Sequence, residues 1–216
     1  MKKLVVTVVS LLCLTSAAFA VDRGMGLRLG AAQNDPATGE SWHKAYTPAL
    51  DDTSLTKRKG VVGLEAFEEW TLSNETIKFG VKLGADFYFQ NELKGYKETP
   101  LFSAKLTETT YAFPLTLYYK KDNDIKNWSC FIGAGATLIR TEVKLKGEDS
   151  TYVYEGSESK IKLFPHITAG AEYRFDEHWA LGLDVKYNIA AKVKKDGEVL
   201  SDRSGIGGAV TARFYF

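Results

Sequence analysis

The sequence predicts an all-β fold, an eight-stranded antiparallel up-and-down barrel, and two observations carry that prediction. Apolar and polar residues alternate with a period of two over long segments of the 216-residue chain, which is the pattern of strands with one apolar face. Short turns and long polar loops alternate between these segments, as they do in a meander whose connections lie at opposite rims. The periodicity of an amphipathic helix is absent from the sequence.

The alternation is clearest in the stretch IKFGVKLGADFYFQ, residues 77–90, where Ile, Phe, Val and Leu share one face and Lys and Gly the other. Such a segment is longer than the usual strand of about 5 or 6 residues and can cross a bilayer at a tilt. In the second predicted strand Glu68 falls on the apolar face, which predicts a bulge or a strand end there. The predicted strands are Gly24–Ala32, Gly60–Trp70, Ile77–Gln90, Thr109–Tyr119, Trp128–Leu138, Ile167–Phe175, Trp179–Ile189 and about Gly205–Phe216.

The connections between these strands differ in length in a regular way. Short turns are predicted at residues 73–75, around residues 121–126, and at residues 176–178. Because every second connection of a meander lies at the same end, the short turns share one rim and the long loops share the other. This asymmetry is typical of transmembrane barrels. The predicted long polar loops are residues 33–59, 91–108, 142–162 and 191–204.

The amino-terminal residues 1–20 are predicted to be a signal peptide, which leaves residues 21–216 as the barrel domain. Two lysines precede an apolar run from Leu4 to Leu14, and a small-residue cleavage site ends at Ala20. The apolar run is shorter than the roughly 20 residues of a transmembrane helix. Cys13 belongs to the signal, so Cys130 is the single cysteine of the mature chain and no intramolecular disulfide can form.

Composition and motifs predict no nucleic-acid partner, no metal and no cofactor. The formal net charge of +1 includes the two lysines of the signal, so the mature chain is close to neutral and has no electrostatic basis for binding nucleic acid. His43 and His178 show no metal-ligand spacing. The Gly-x-Gly repeats lie inside predicted strands rather than between a strand and a helix, so they are not phosphate loops.

Alternation alone does not say which face of the barrel points inward, so a soluble barrel with an apolar interior is the alternative to a membrane barrel. The polar face carries many glycines, whereas the apolar face carries bulky aromatic residues. Side chains just fill the interior of an eight-stranded barrel, so the face with small residues is predicted to be inside. The charged side chains on that face are predicted to form a paired network in the lumen, comprising Arg28, Glu65, Lys78, Lys82, Asp86, Glu108, Glu172, Arg174, Asp184, Lys186 and Arg213.

Aromatic residues stand at the strand ends that meet at the short-turn rim. An aromatic girdle is expected where the hydrocarbon of a membrane gives way to headgroups. The alternative is chance, since aromatic residues are enriched in strands generally. The predicted girdle residues are Tyr119, Trp128, Phe175, Trp179 and Phe216.

The chain closes on VTARFYF, with Val210, Phe214 and Phe216 on one side of an extended strand. The last strand must pair with the first, because an open sheet edge in lipid leaves backbone groups unsatisfied. The three residues resemble the carboxy-terminal assembly signal of outer-membrane barrels. The segments FIGAGATL and ITAGAEYRFDEHWALGLDVKYN also resemble the small OmpA-, OmpW- and OmpX-type barrels.

This resemblance implies a location and a set of partners. The expected location is the bacterial outer membrane, with the amino terminus in the periplasm and four long loops outside. The expected partners are outer-membrane lipid, lipopolysaccharide and the barrel assembly machinery, and the barrel is expected to be a monomer.

Three functions remain open at the level of sequence. The favoured one is a non-enzymatic structural or surface-interaction role with a plugged lumen, because eight strands leave no aqueous channel. The alternative is a narrow pore for ions or a transporter of small hydrophobic compounds, as suggested for OmpW-type barrels. A lipid A-modifying enzyme is least favoured: His166 and Thr168 offer a His-and-hydroxyl pair, but both are predicted to point inward, away from lipid.

Overall fold

The computed structural model describes residues 21–33, 58–71, 76–98, 101–123, 127–149, 153–195 and 198–216. The predicted signal peptide and most of the first predicted loop lie outside the described residues. The described residues contain no helix that is long and apolar enough to span a membrane. The strands are β1 (Val21–Gln33), β2 (Arg58–Thr71), β3 (Ile77–Glu98), β4 (Leu101–Asp122), β5 (Trp128–Asp149), β6 (Val153–Arg174), β7 (Trp179–Asn188), β8 (Lys192–Lys195), β9 (Glu198–Asp202) and β10 (Gly205–Tyr215).

Eight of these strands form a closed antiparallel barrel in the order β1-β10-β7-β6-β5-β4-β3-β2, which confirms the predicted fold class. The barrel closes where β1 pairs with β10, from Gly24 opposite Tyr215 to Ala32 opposite Gly207. Closure inside the membrane-spanning part leaves no strand edge to face lipid, as the hydrogen-bonding rule for bilayers requires. The strands β8 and β9 form a separate two-stranded sheet in the connection between β7 and β10.

The prediction of long loops at residues 91–108 and 142–162 is wrong. Residues 91–98, 101–108, 142–149 and 153–162 belong to the strands β3, β4, β5 and β6, each of which has 22 residues. A strand needs only about 9–11 residues to cross a bilayer, so the extensions lie beyond it. Outward positions there, such as Lys144 and Lys146 of β5, are polar and exposed, so the apolar outer face ends while the backbone ladder continues. The predicted loop at residues 191–204 likewise contains the β8–β9 hairpin.

The predicted bulge or strand end at Glu68 is also wrong. The ladders of β2 with β1 and with β3 run without a register shift, and β2 continues to Thr71. Glu68 lies opposite Arg23 of β1, and a side-chain distance of 3.4 Å joins the two charges. An ion pair near the end of the strand therefore neutralises the carboxylate that seemed out of place.

The two faces of the barrel are arranged as a membrane barrel requires. Large apolar side chains point outward, and Leu83, Leu115 and Leu183 are 36%, 46% and 61% exposed. Charged side chains such as Lys82 and Asp184 are buried inside. The alternative of a soluble barrel with an apolar interior is therefore excluded.

Aromatic side chains also point into the lumen, and several glycines make room for them. A Cβ atom on Gly80 would lie 2.4 Å from the ring of Tyr118, and one on Gly170 would lie 2.5 Å from the ring of Phe131. The glycines of the polar face therefore accommodate rings as well as charged groups. The buried inward aromatic residues are Phe67, Tyr88, Tyr118, Phe131, Phe164 and Tyr215.

Candidate functional site: the charged lumen

Arg213 of β10 lies at the centre of the lumen, where it binds three carboxylates from three strands. Its Nε donates to Glu65 Oε1 at 2.7 Å, its Nη1 to Glu172 Oε2 at 2.8 Å, and its Nη2 to Asp184 Oδ1 at 2.9 Å. Arg213 is only 4% exposed. Charge-assisted bonds of this kind offset the cost of burying the guanidinium.

Two ion pairs cross the axis of the barrel. Lys82 Nζ lies 2.9 Å from Asp184 Oδ2, and Lys186 Nζ lies 3.1 Å from Asp86 Oδ2. Both pairs join β3 to β7, which are opposite each other in the closed barrel. Arg28 of β1 also donates to Asp86, at 3.0 Å. The middle of the lumen is therefore filled by side chains that bind across it.

A second layer lies nearer the short-turn rim. Lys120 Nζ donates to Glu69 Oε2 at 3.1 Å, to Glu172 Oε1, and to the Tyr215 hydroxyl at 2.9 Å. The Tyr118 hydroxyl donates to Glu69 Oε1 at 2.8 Å. The sequence prediction missed Lys120 because the fourth strand was predicted to end one residue earlier, and it missed Glu69 because of the expected break at residue 68.

The short-turn mouth is closed by a third layer. Lys78 Nζ bridges Asp22 Oδ2 at 2.7 Å and Asp122 Oδ2 at 2.8 Å. Arg174 is half-buried, and its Cζ lies 3.8 Å from the ring centroid of Tyr215. Both aspartates were missed because they lie at strand ends, where the sequence pattern gives no inward direction.

Glu108 lies near the long-loop mouth, away from the central network. Its Oε1 accepts a hydrogen bond of 2.7 Å from Arg203 Nη2. Arg203 lies in the connection between β9 and β10, within a segment predicted to be a loop, so no strand alternation pointed to it. The structure thus places all the predicted lumen charges on the inner face, and Arg174 is the most exposed of them.

His166 lies between two threonines, and neither of them is Thr168, with which the sequence prediction paired it. Its Nε2 lies 2.9 Å from Thr116 Oγ1, and its Nδ1 lies 2.9 Å from Thr137 Oγ1. The Thr168 hydroxyl donates instead to the Val185 carbonyl at 2.9 Å. His166 and Thr168 therefore have separate partners and do not form the proposed His-and-hydroxyl pair.

Little free space remains among these groups. A cavity of about 10 Å³ lies between the central network and the second layer, and it has room for about one water molecule. Its walls include Lys82, Lys120 and Arg213. Among the described residues, no group of three or more His, Cys, Asp or Glu side chains is arranged to hold a metal ion.

The predicted girdle residues are exposed on the outer surface at the short-turn rim. Trp128 and Tyr173 pack in a tilted arrangement with ring centroids 5.1 Å apart, and Trp179 meets Phe214 edge to face at 5.0 Å. Trp70 and Phe79, which are not among the predicted girdle residues, stack with ring centroids 6.2 Å apart on the neighbouring strands. The outward residues of the predicted assembly signal are Val210, Phe214 and Phe216.

The turn between β6 and β7 lies at the short-turn rim, next to the aromatic girdle, and is held by Asp176. The backbone N–H groups of His178 and Trp179 both donate to Asp176 Oδ1 at 2.7 Å. These two hydrogen bonds, that of His178 first, lower the pKa of the Asp176 carboxyl below its ordinary value of 3.8.

A closed barrel with apolar residues outside and paired charges inside defines an integral β-barrel protein of the outer-membrane type. The chain belongs to the outer membrane protein β-barrel domain family, whose model matches residues 4–214. The family resemblance noted in the sequence is thereby confirmed, and the bacterial outer membrane is the location that membership implies. A search of curated proteins found no match.

The chain is similar to several solved structures. The outer membrane protein OprG from Pseudomonas aeruginosa is 11% identical, with a TM-score of 0.52 over 92% of this chain and 96% of that one. Neisserial surface protein A is 17% identical, with a TM-score of 0.43 over 90% and 94%. Ail, the attachment invasion locus protein of Yersinia pestis, is 13% identical, with a TM-score of 0.41 over 90% and 96%. At these identities the likeness to OprG supports the fold alone.

Proposed function

We propose that this protein is a non-enzymatic, non-conducting barrel that contributes to the structure of the outer membrane and presents its extended strands at the cell surface. The observation that carries the proposal is the pair of ionic bonds from β3 to β7, Lys82 to Asp184 and Lys186 to Asp86, which cross the lumen. An ion passing through the barrel would have to separate both.

The energetics favour a lumen that stays shut. Removing one partner from a buried ion pair costs about 3–5 kcal/mol, because the other charge is left without compensation in a poorly hydrated interior. The lumen pairs share partners: Asp184 binds both Lys82 and Arg213. Opening a path therefore means breaking several bonds together, and this supports a plug over a narrow pore.

The orientation and the partners belong to the same proposal. We place the short-turn rim and the amino terminus in the periplasm and the extensions of β3–β6 outside. The aromatic girdle at the short-turn rim and the length of the extensions support this orientation. Lipid and lipopolysaccharide would contact the apolar band and the exposed lysines Lys144 and Lys146 above it, and the assembly machinery would recognise the last strand. A closed barrel needs no second copy to complete its sheet, which favours a monomer.

Planar-bilayer recordings test the proposal. The refolded wild-type protein should give no discrete conductance steps. The matched variants are Arg213→Ala, which removes the centre of the plug, and Lys144→Ala. The second variant breaks the pair of the exposed Lys144 with the partly exposed Glu142 and should give no conductance steps. Wild-type steps that change in size in Lys82→Ala or Arg213→Ala would instead establish a path through the lumen.

The non-enzymatic part is tested separately in cells. Lipid A from cells that carry the gene and cells that lack it should have the same mass and the same acyl chains. A difference that disappears in His166→Ala would make the protein a lipid-modifying enzyme.

A further inference from the structure

Arg203 is a buried guanidinium that does not belong to any strand of the barrel. It is 1% exposed and lies in the short connection between β9 and β10. Its side chain reaches Glu108 and Thr110 on β4, the strand opposite β10 in the closed barrel. The connection therefore sends one side chain across the outer part of the lumen.

The groups that receive Arg203 bind one nitrogen of its guanidinium and place an aromatic ring near it. Nη2 donates to Glu108 Oε1 at 2.7 Å and to Thr110 Oγ1 at 2.8 Å. The Cζ atom lies 4.9 Å from the ring centroid of Tyr88. A carboxylate, a hydroxyl acceptor and an aromatic ring are the combination that recognises a planar, delocalised cation.

The pocket is built on the barrel, whereas its occupant is not. Tyr88, Glu108 and Thr110 are all buried on β3 and β4, and Thr110 Oγ1 lies 3.4 Å from Thr141 Oγ1 of β5. Tyr88 lies opposite Thr110 in the β3–β4 ladder, whose register shifts between Tyr88 and Asn91, and Thr110 lies opposite Thr141 in the β4–β5 ladder.

Arg203 fills this pocket incompletely. Its Nε and Nη1 are buried and have no hydrogen-bond partner among the described residues. Unsatisfied buried donors weaken the hold of the connection on its own pocket. A free guanidinium compound presents the same planar cation to these walls without the connection to the chain.

We propose that Tyr88, Glu108 and Thr110 form a binding site for guanidinium compounds in the outer part of the lumen, occupied within the chain by Arg203. The site lies outside the central network of Arg213, so it does not depend on whether the barrel conducts. If the wild-type protein conducts ions, the proposal of a guanidinium site still holds. The two proposals are tested by different assays, binding for this site and conductance for the plug.

The test is chemical complementation of Arg203→Ala, refolded in detergent. The probes are methylguanidinium and methylammonium, which carry the same charge but differ in shape and donor number. Methylguanidinium should bind Arg203→Ala saturably, with a Kd at least tenfold below that of methylammonium, measured by isothermal titration. The wild-type protein, whose site is filled, should bind at least tenfold more weakly than the variant.

The double variant Arg203→Ala, Glu108→Gln is the matched control and should lose at least tenfold in affinity for methylguanidinium. The proposal is overturned if methylguanidinium and methylammonium bind Arg203→Ala with equal affinity. It is also overturned if the double variant binds methylguanidinium as tightly as Arg203→Ala does. If Arg203→Ala does not refold, Arg203→Met retains the apolar stem, and the same titration with the same criteria decides the matter.

Discussion

At the scale of single residues, the lumen depends on side chains that each serve several partners. Arg213 binds three carboxylates, and each of those carboxylates belongs to a different strand. The alternation of the sequence predicted which charges point inward, because the side-chain period of a strand is two. It did not predict the pairs: Lys82 and Asp184 lie 102 residues apart, and only closure of the barrel brings them together.

Replacing Arg213 with alanine should destabilise the barrel more than any change to an exposed ion pair. Three buried carboxylates would lose their shared cation, and the expected loss is on the order of 3–5 kcal/mol in the free energy of unfolding. Urea unfolding in detergent micelles measures it. The control is Lys146→Ala, which breaks a pair with Glu155 in which both side chains are more than half exposed and should leave the free energy of unfolding nearly unchanged. Equal losses in the two variants would contradict the central role of Arg213.

Asp176 should make the stability of the β6–β7 turn depend on pH. Its folded pKa lies below the unfolded value of 3.8, so its contribution is complete above that value and is lost as the pH falls through the lowered pKa. Asp176→Ala should therefore be less stable than wild type at neutral pH, and the difference should shrink at about pH 3. Urea unfolding at the two pH values measures the change. A difference that stays constant would mean that the carboxylate charge does not stabilise the turn.

At the scale of the strands, the sequence predicted the parts that lipid constrains and failed beyond them. In the bilayer an outward polar residue is costly, so alternation is enforced and the strand can be read from it. Above the bilayer, outward positions such as Glu142 and Lys144 of β5 are polar, and their neighbour Val143 is buried. The predicted ends of β4 and β5 therefore fell where the apolar band ends, although the backbone pairing continues to Asp149 in β5. In β6 the outward residues Ile161 and Leu163 continue the apolar face beyond the predicted start at Ile167.

Hydrogen exchange distinguishes an extended strand from a loop in this region. The amide groups around Val143 should exchange slowly, because β5 is paired with β4 on one side and with β6 on the other. The amide of Glu177, in the turn between β6 and β7, provides a fast-exchanging comparison on the same protein. Exchange near Val143 as fast as in that turn would show that the extension is a loop in solution, as the sequence alone predicted.

At the scale of the whole molecule, closure of the barrel depends on the last strand. The Phe216 amide donates to the Arg23 carbonyl at 2.9 Å, and its ring lies 5.6 Å from that of Phe214, so the terminus completes the seam between β10 and β1. The sequence predicted this closure because the only strand left to pair with the first is the last. It did not predict the β8–β9 hairpin or Arg203, since neither carries the alternation that lipid imposes.

Phe216 should matter more for assembly in the membrane than for stability once the barrel has formed. Its ring is 71% exposed, so removing it leaves no cavity in the lumen, whereas recognition of the last strand would lose its terminal aromatic group. Phe216→Ala should therefore lower the amount of folded protein in the outer membrane, measured by heat-modifiable mobility in gels, with little change in urea unfolding of the refolded protein. Phe175→Ala is the matched control, because Phe175 is also an exposed girdle residue but is not terminal. If both variants assemble equally well, Phe216 acts only as a girdle residue, and the assembly signal must lie elsewhere in the chain.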